Sequence, residues 1–353
     1  MKKLEVCKFL LNLNDNLYIS RCLYLARLGE YEVAPNPMVG AVLVHHSGVD
    51  DSILGEGWHA RYGEAHAEPN CIRIAEQAHP AGIDYKHCTL YVNLEPCSHY
   101  GKTPPCAELI IRKGIGRVVV GTLDPNPQVA GRGVKMLRDA GIEVIVGVME
   151  EACRALNKRF FCLQEQKRPY VILKWAETAD GYIDIQRDGG KPISISTPLT
   201  KQLVHQQRAE NMAIMVGTRT VLLDNPRLLT THWSGKNPIR ITLDRQGVLP
   251  VESRIFSNEA PTIVYRENTD WWFIVADLAA RNIHSVLVEG GSTLLQHILD
   301  SGIYDEVHIE IGKQLLPINP ITGRKEGVKA PMYHRHTQPI VVDDHQIFIE
   351  QKL

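Results

Sequence analysis

Three features of this 353-residue chain predict an α/β protein of two domains. Its length exceeds what a single hydrophobic core usually fills. Short β-branched runs alternate with helical patterns in both halves, and a polar stretch separates the two series.

The first helix is expected in LYISRCLYLARLGE (17–30), where apolar side chains recur at helical spacing and Gly29 supplies a stop. VGAVLV (39–44), TLYVNLE (89–95), RVVVGTL (117–123) and EVIVGV (143–148) then read as strands. Helical patterns over 68–78, 106–113 and 131–140 lie between them. The polar run EQKRP (165–169) reads as a surface connection, so a boundary is expected within 150–168, with domains over 1–150 and 151–353. The second half offers YVILKWA (170–176), MAIMVG (212–217), PIRITLD (238–244), PTIVYR (261–266), SVLVEGG (285–291), EVHIEIG (306–312) and QIFIEQK (346–352) as strands.

Charge is balanced, 39 basic against 40 acidic side chains, and 44% of residues are hydrophobic. That composition excludes a nucleic-acid coat and a disordered chain. No run of basic and aromatic residues is present to stack single strands, and no apolar stretch approaches the roughly 20 residues of a membrane helix. The start MKKLEVCKFLLNLNDN is broken by Asn12, Asn14 and Asp15 and lacks a small-residue cleavage site, so a cytoplasmic protein is expected. Eight cysteines in such a chain read as thiols and metal ligands, not as a disulfide framework.

Two segments carry chemistry. GEAHAEPNCIRIAEQ (63–77) sets His66 and Glu68 two apart at a helix start, and NLEPCSHYGKTPPCAEL (93–109) brings Cys97 and Cys106, each after a proline. A catalytic zinc takes three protein ligands and keeps a fourth position open for water, whose pKa it lowers from about 15.7 to near 7. His66, Cys97 and Cys106 supply that set. Glu68 is near enough to share the pocket without being a ligand, which suits a general acid/base. Cys106 opens an apolar helical run, where the positive helix end favours a thiolate. Pro69 is tolerated because it falls in a first helical turn. A fourth ligand from Cys71, Cys88 or His99 would instead close the centre into an inert structural one; Cys71 and Cys88 read as core thiols. His-x-Glu followed by Pro-Cys is the signature of zinc nucleobase deaminases.

Base deaminases generally carry Pro-Cys-x-x-Cys, whereas eight residues, SHYGKTPP, separate Cys97 from Cys106. Together with APNPMVGAVLV (34–44), GEGWHARYGEAHAE (55–68) and DPNPQVAGRG (124–133), this longer loop resembles the pyrimidine deaminase of riboflavin biosynthesis. LKWAETADGYI (173–183), QQRAENMAIMVGTRTVLLDNPRLLT (206–230), NPIRITLD (237–244) and VEGG (288–291) resemble, in order, the reductase half of the same bifunctional bacterial family. The resemblance spans nearly the whole chain. It implies an N-terminal cytidine-deaminase-like α/β/α sandwich, a C-terminal dihydrofolate-reductase-like α/β domain, and Zn2+ and NADPH as cofactors. It also implies deamination of a small phosphoribosylaminopyrimidine followed by reduction of its ribosyl group to ribityl. A homo-oligomer is expected.

Carried over by position, Asn36 and His59 would contact the pyrimidine. Glu177, Thr220, Asp224, Gly291, Ser292, Thr293 and Leu294 would contact NADPH, and Lys174, Arg208, Leu228 and Glu289 would border the ribose phosphate. The strand, glycine pair and helix of SVLVEGGSTLLQHIL (285–299) suit a phosphate cradle, although no G-x-G-x-x-G is present. Arg208 suits a phosphate because a guanidinium forks onto one. The chain departs from the family at SIST (194–197), where Trp-Ile-Thr/Ser is common, and at LLTTHW (228–233), where an arginine is common. It also has Arg245 where a serine is common, Pro69 where the family usually has an aliphatic residue, and Tyr100 where a second histidine is common. Two further readings therefore stand: a deaminase with a weakened reductase half, and a nucleoside deaminase with an appended nucleotide-binding domain.

Overall fold

The computed structural model describes residues 2–47, 50–100, 104–126 and 130–352, and for the helical residues 2–13 the backbone. Residues 101–103 of the loop between the two cysteines and 127–129 of the 124–133 motif lie outside the described residues. The chain divides into two compact units, Met1–Gln166 and Lys167–Leu353. The break falls at the far end of the expected window, not at 150. Residues after 150 belong to the first unit because Cys153 is buried in its core and the Asn157 side chain bonds both backbone groups of Met38.

The first unit comprises α1 (Lys2–Arg27), β1 (Gly40–His46), β2 (Asp51–Trp58), α2 (Ala67–Ala78), β3 (Cys88–Leu94), α3 (Cys106–Lys113), β4 (Arg117–Thr122), α4 (Arg132–Asp139), β5 (Glu143–Val146), α5 (Glu150–Leu156) and α6 (Lys158–Gln166). Its sheet runs β2-β1-β3-β4-β5, antiparallel across β2-β1-β3 and parallel from β3 to β5. Strand residues alternate between two cores, as the two-residue period requires. Ala41, Leu43, Leu90 and Val92 pack with Ile72, Ala75, Ile110 and Leu137 of α2, α3 and α4. Val42, Val44, Tyr91 and Val119 pack with Ile19, Cys22 and Cys153 of α1 and α5. A three-layer α/β/α sandwich results. Asp15 of α1 accepts bonds from Tyr91 Oη (2.9 Å) and Arg117 (2.7 Å), which ties that helix to the sheet.

α1 starts well before the expected residue 17, and β2 is a strand that the pattern does not predict. DSILGEGW (51–58) is polar and carries two glycines, features depleted in strands. The glycines have a packing reason. A Cβ on Gly55 would come 2.6 Å from Cys71 O, and one on Gly57 2.3 Å from Cys71 N. α2 therefore rests on bare backbone, and its first turn is fixed against the sheet.

The second unit comprises β6 (Tyr170–Glu177), β7 (Tyr182–Ile185), α7 (Pro198–Glu210), β8 (Ala213–Val216), α8 (Thr218–Asp224), β9 (Ile239–Leu243), β10 (Thr262–Tyr265), α9 (Trp271–Ala280), β11 (Ser285–Gly290), α10 (Ser292–Ser301), β12 (Glu306–Ile311), β13 (Gly327–Lys329), β14 (Ile340–Val342) and β15 (His345–Gln351). Eight strands form one sheet in the order β10-β9-β8-β11-β6-β12-β15-β14, parallel from β10 to β12 and antiparallel beyond; β7 and β13 make a separate ribbon. One face carries the main core, in which Val171, Leu173, Trp175, Val286 and Val288 meet Trp271, Ile274, Leu278, Leu295 and Ile298 of α9 and α10. The face under α7 is polar. Arg208 of that helix pairs with Glu289 of β11 (2.6 Å), and Gln207 bonds His308 of β12 (2.7 Å).

Candidate active sites

α2 begins with His66 as its N-cap in an extended conformation, so Glu68 lies in the first turn. Pro69 follows within that turn, where a missing N–H costs no helical bond. α3 begins at Cys106, whose N–H donates to Cys97 Sγ (3.3 Å), while Ala107 N–H donates to Cys97 O (3.1 Å). Cys97 thus satisfies two of the amides that a helix start leaves open, and the loop is closed onto the helix.

His66 Nδ1 lies 3.6 Å from Cys97 Sγ and 3.5 Å from Cys106 Sγ. The three donor atoms fall within 4.8 Å of one another, close enough to share one metal ion. Their protons are already linked: hydrogen bonding from Cys106 takes the Cys97 thiol down to about 4, and the Cys97 sulfur lifts His66 to about 9. One imidazole and two thiols in mutual contact form the soft donor set that zinc takes. Cys71 and Cys88 donate instead to Gly55 O (3.2 Å) and Asp84 O (3.3 Å), as core thiols. His99 lines the pocket without joining the three-donor group found among the described residues. Among the described residues the donor group numbers three.

Glu68 is 3% exposed, and its Oε2 has no hydrogen-bond partner among the described residues. Burial raises its pKa. The carboxyl borders a pocket of about 230 Å³ that also receives Asn36, His59, Cys97, Asp124 and Phe160. His59 is buried, and its protonation is legible. Nδ1 faces Ala65 O (3.0 Å) and so carries the hydrogen, which leaves Nε2 to accept from Asn36 Nδ2 (3.1 Å). Desolvation holds it below the ordinary histidine range, hence neutral. Asn36 Oδ1 is left to accept from a ligand. Glu95 escapes the motif reading: its carboxylate accepts from the N–H groups of Asp124 (3.2 Å), Gly131 (2.9 Å) and Val134 (3.1 Å), anchoring the opposite wall of the pocket.

The second unit holds a cleft of about 1090 Å³ along the C-terminal ends of its parallel strands. Lys174, Thr220, Asp224, Glu289, Gly291, Ser292, Thr293 and Leu294 all line it. Gly291 caps α10 with φ +46, and an added Cβ there would meet Thr220 Oγ1 at 3.4 Å, so glycine keeps the approach to the helix start open. Ser292 Oγ donates to Lys329 O (2.7 Å). Lys174 Nζ stands 3.9 Å from Glu310 Oε2; burial pulls its pKa down, while Glu289 and Glu310 oppose that. Glu310 also accepts from Ser196 Oγ (2.6 Å) and bonds His345 Nδ1 (2.7 Å).

Three expected residues do not line the cleft. Arg208 forks onto Glu289 (2.8 and 2.6 Å) and reaches Leu229 O (3.1 Å), so it acts on the cleft through Glu289. Leu228, at φ +54, is 5% exposed and packs with Val216, Val221 and Ile255. Glu177 is enclosed by Trp175 Nε1 (2.8 Å) and Arg335 (2.9 Å). Where the family commonly has an arginine, Thr231 N–H donates to His205 Nδ1 (3.0 Å), and the His205 and His232 rings meet edge-on at 4.7 Å. Arg187 is the cleft residue that pattern reading misses. It is 9% exposed and binds Asp184 (2.8 Å), Asp224, Gly190 O (3.1 Å) and Leu223 O (3.2 Å), joining three segments of the wall.

A zinc-dependent deaminase joined to an NADPH-dependent reductase is the class of enzyme these two sites define. Residues 13–122 match the cytidine and deoxycytidylate deaminase zinc-binding region, and residues 169–316 match the RibD C-terminal domain. The riboflavin biosynthesis proteins RibD of Synechocystis and Aquifex aeolicus are each 38% identical to the chain, over 86% of it and over 86% and 88% of their own lengths. Among solved structures, Acinetobacter baumannii RibD superposes with a TM-score of 0.84 at 30% identity, covering 97% of this chain and 100% of that one. A Thermotoga maritima diaminohydroxyphosphoribosylaminopyrimidine deaminase/5-amino-6-(5-phosphoribosylamino)uracil reductase does so at 0.83 and 37% identity, covering 97% and 99%. The chain belongs to the RibD family of riboflavin biosynthesis proteins. No helix among its described residues is long and apolar enough to cross a membrane.

Proposed function

We propose that the chain acts on the two compounds for which the Thermotoga relative is named: it removes the ring amine of a phosphoribosylated diaminopyrimidine, then reduces the ribosyl group of the resulting aminouracil to ribityl. The observation that carries this reading is the buried carboxyl of Glu68, with its Oε2 unpartnered among the described residues, beside three metal-competent donors. His66, Cys97 and Cys106 would hold zinc, which when bound makes water a nucleophile near neutral pH. Glu68 takes one proton from the attacking water and gives it to the ring nitrogen, then carries the remaining hydroxyl proton to the departing amine. The carbon loses ammonia and gains a carbonyl oxygen. His59, fixed as the neutral tautomer, and Asn36 orient the pyrimidine through hydrogen bonds that specify its edge.

In the second unit Thr220, Asp224 and Gly291 to Leu294 would seat NADPH, which when bound would supply the hydride for the sugar carbon attached to nitrogen. Lys174 and Glu289 border the ribose phosphate, and Arg208 holds Glu289 in place. None of the seven described cysteines is in a disulfide, which suits a reducing cytoplasm. Exposed Ile340 and Val341 on the terminal strand β14 suit a homo-oligomer.

The test is to supply the diaminopyrimidine ribose phosphate to the purified chain and follow ammonia release and NADPH absorbance separately. Ammonia first and NADPH consumption second is the expected order. Consumption of NADPH with no ammonia released would overturn the sequence of steps.

A further inference from the structure

Reduction of a ribosyl group to ribityl consumes one proton for each hydride, and the surroundings of Lys174 show where that proton enters. This step rests on the proposed reading of the second unit as a reductase of the ribosyl group. When the C1′–O4′ bond of the sugar breaks, its electron pair leaves with O4′, and the lone pair of the attached nitrogen forms a C=N bond. O4′ takes a proton from the Lys174 ammonium. The C=N carbon accepts the hydride that NADPH supplies when bound, and the nitrogen keeps its hydrogen and ends as a neutral amine. Lys174 is left uncharged, so it must regain one proton in every turnover.

Two carboxylates act on Lys174, Glu289 of β11 and Glu310 of β12. Glu289 leads no further: both its oxygens are held by Arg208 (2.8 and 2.6 Å), a guanidinium that does not give up its proton. Glu310 does lead further. β6 and β12 run parallel with His308 opposite Lys174, so Glu310, two residues on, shares that face of the sheet. Its Oε2 lies 3.9 Å from Lys174 Nζ, a gap the flexible lysine stem can shorten, and accepts from Ser196 Oγ (2.6 Å). Its Oε1 accepts from His345 Nδ1 (2.7 Å). His345 Nε2 in turn lies 3.6 Å from Asp344 Oδ1, on a half-exposed side chain that reaches Lys313 Nζ at 3.4 Å. A cleft lysine, two buried groups and a surface carboxylate follow one another.

The charges around this row suit proton transfer along it. Burial pulls the Lys174 pKa down, Glu289 and Glu310 oppose that, and Arg208 adds to it. Burial by itself would raise the Glu310 pKa, but the Lys174 charge and bonds from Ser196, Thr200 and His345 bring it below the ordinary carboxylate range. Once Lys174 has given up its proton that charge is gone, and burial favours a protonated Glu310 when the lysine needs to be recharged. An imidazole takes a proton at one ring nitrogen and releases one at the other. His308, on the same face, is engaged elsewhere, with Gln207 Nε2 at 2.7 Å and Glu306 Oε2 at 3.1 Å. We propose that His345 and Glu310 form a proton line that recharges Lys174 from the solvent side at Asp344 while sugar and cofactor fill the cleft. Glu310 gives a proton to Nζ and draws one from His345 Nδ1, and His345 takes one at Nε2. One proton enters for each hydride spent. Glu310 and His345 touch no substrate and act through Lys174.

The experiment follows NADPH consumption by the full chain with preformed aminouracil ribose phosphate, for the wild type, H345A, E310Q and, as a control on the same face, H308Q. H345A should lower kcat at least about tenfold with KM and NADPH affinity unchanged, and added imidazole should restore it in a concentration-dependent way. E310Q should lose kcat without rescue, and H308Q should behave as the wild type. NADPH affinity, measured by fluorescence titration, also reports that the second unit is folded. A second measurement needs no turnover: in the complex with NADP+ and the ribityl product, NMR of isotope-labelled lysine should show the Lys174 ammonium protons exchanging with solvent more slowly in H345A. Unchanged kcat in H345A and E310Q, exchange that H345A does not slow, or a loss in H345A that imidazole leaves in place overturns the proton line while leaving the reductase reading intact. A wild type that consumes no NADPH with the aminouracil removes both.

Discussion

Glu68 is a carboxyl held almost dry, with one oxygen, Oε2, unpartnered among the described residues, a costly arrangement that persists where a proton must be moved. Glu68→Gln keeps the shape and removes the proton carrier. Ammonia release should fall by about 10²- to 10⁴-fold with zinc content unchanged, which metal analysis would verify. The trio of ligands was legible because thiol, imidazole and carboxylate types announce their chemistry by identity alone. Glu95 and Arg187 were not, since their role lies in backbone groups that only the fold brings to them. Leu228 and Glu177 show the converse: position along the chain suggested contact, but Leu228 is buried in a cluster and Glu177 is enclosed by Arg335, so neither side chain lines the cleft. His284 sets a pH response. Burial lowers its pKa to about 4 in the folded chain, against about 6.5 when unfolded. The unfolded state therefore takes the proton first as pH falls, so this contribution is intact above pH 6.5 and is lost toward pH 4. Denaturant unfolding of the second unit should show a loss of roughly 2 kcal/mol between pH 7 and 4.5 that is absent from His284→Gln.

At the level of elements, the buried parallel strands were readable as β-branched runs, and the helices by their period and glycine stops. β2, β7, β13 and β14 were not, because they are short, polar or glycine-bearing and owe their pairing to neighbours. β2 matters most, since α2 lies directly on its glycines. Gly57→Ala places a methyl group 2.3 Å from Cys71 N. It should destabilise the first unit by about 1–3 kcal/mol and lower zinc retention in dialysed protein, both of which are directly measurable. In the second unit Arg187 joins β7, the loop after it and the end of α8. Arg187→Ala should raise the KM for NADPH more than it lowers kcat, and Arg187→Lys should restore part of that loss; steady-state kinetics with the aminouracil substrate distinguishes the two parameters.

For the whole molecule, the sequence made two domains legible, yet it placed the seam too early. Polar composition marks where chain can be exposed, whereas Cys153 and Asn157 show where contacts actually end. The separation of chemistries gives a prediction at this scale. A chelator should abolish ammonia release while NADPH oxidation with preformed aminouracil continues at its original rate, because the zinc ligands lie in one unit and the cleft in the other. Loss of both signals would mean that the metal supports more than deamination.

The apolar clusters under the two sheets have no residue in common. Each half therefore has an apolar core of its own for heat to disrupt. A molecule warmed past the tolerance of its reductase alone would go on stripping amines, filling its surroundings with a half-finished sugar conjugate instead of falling silent.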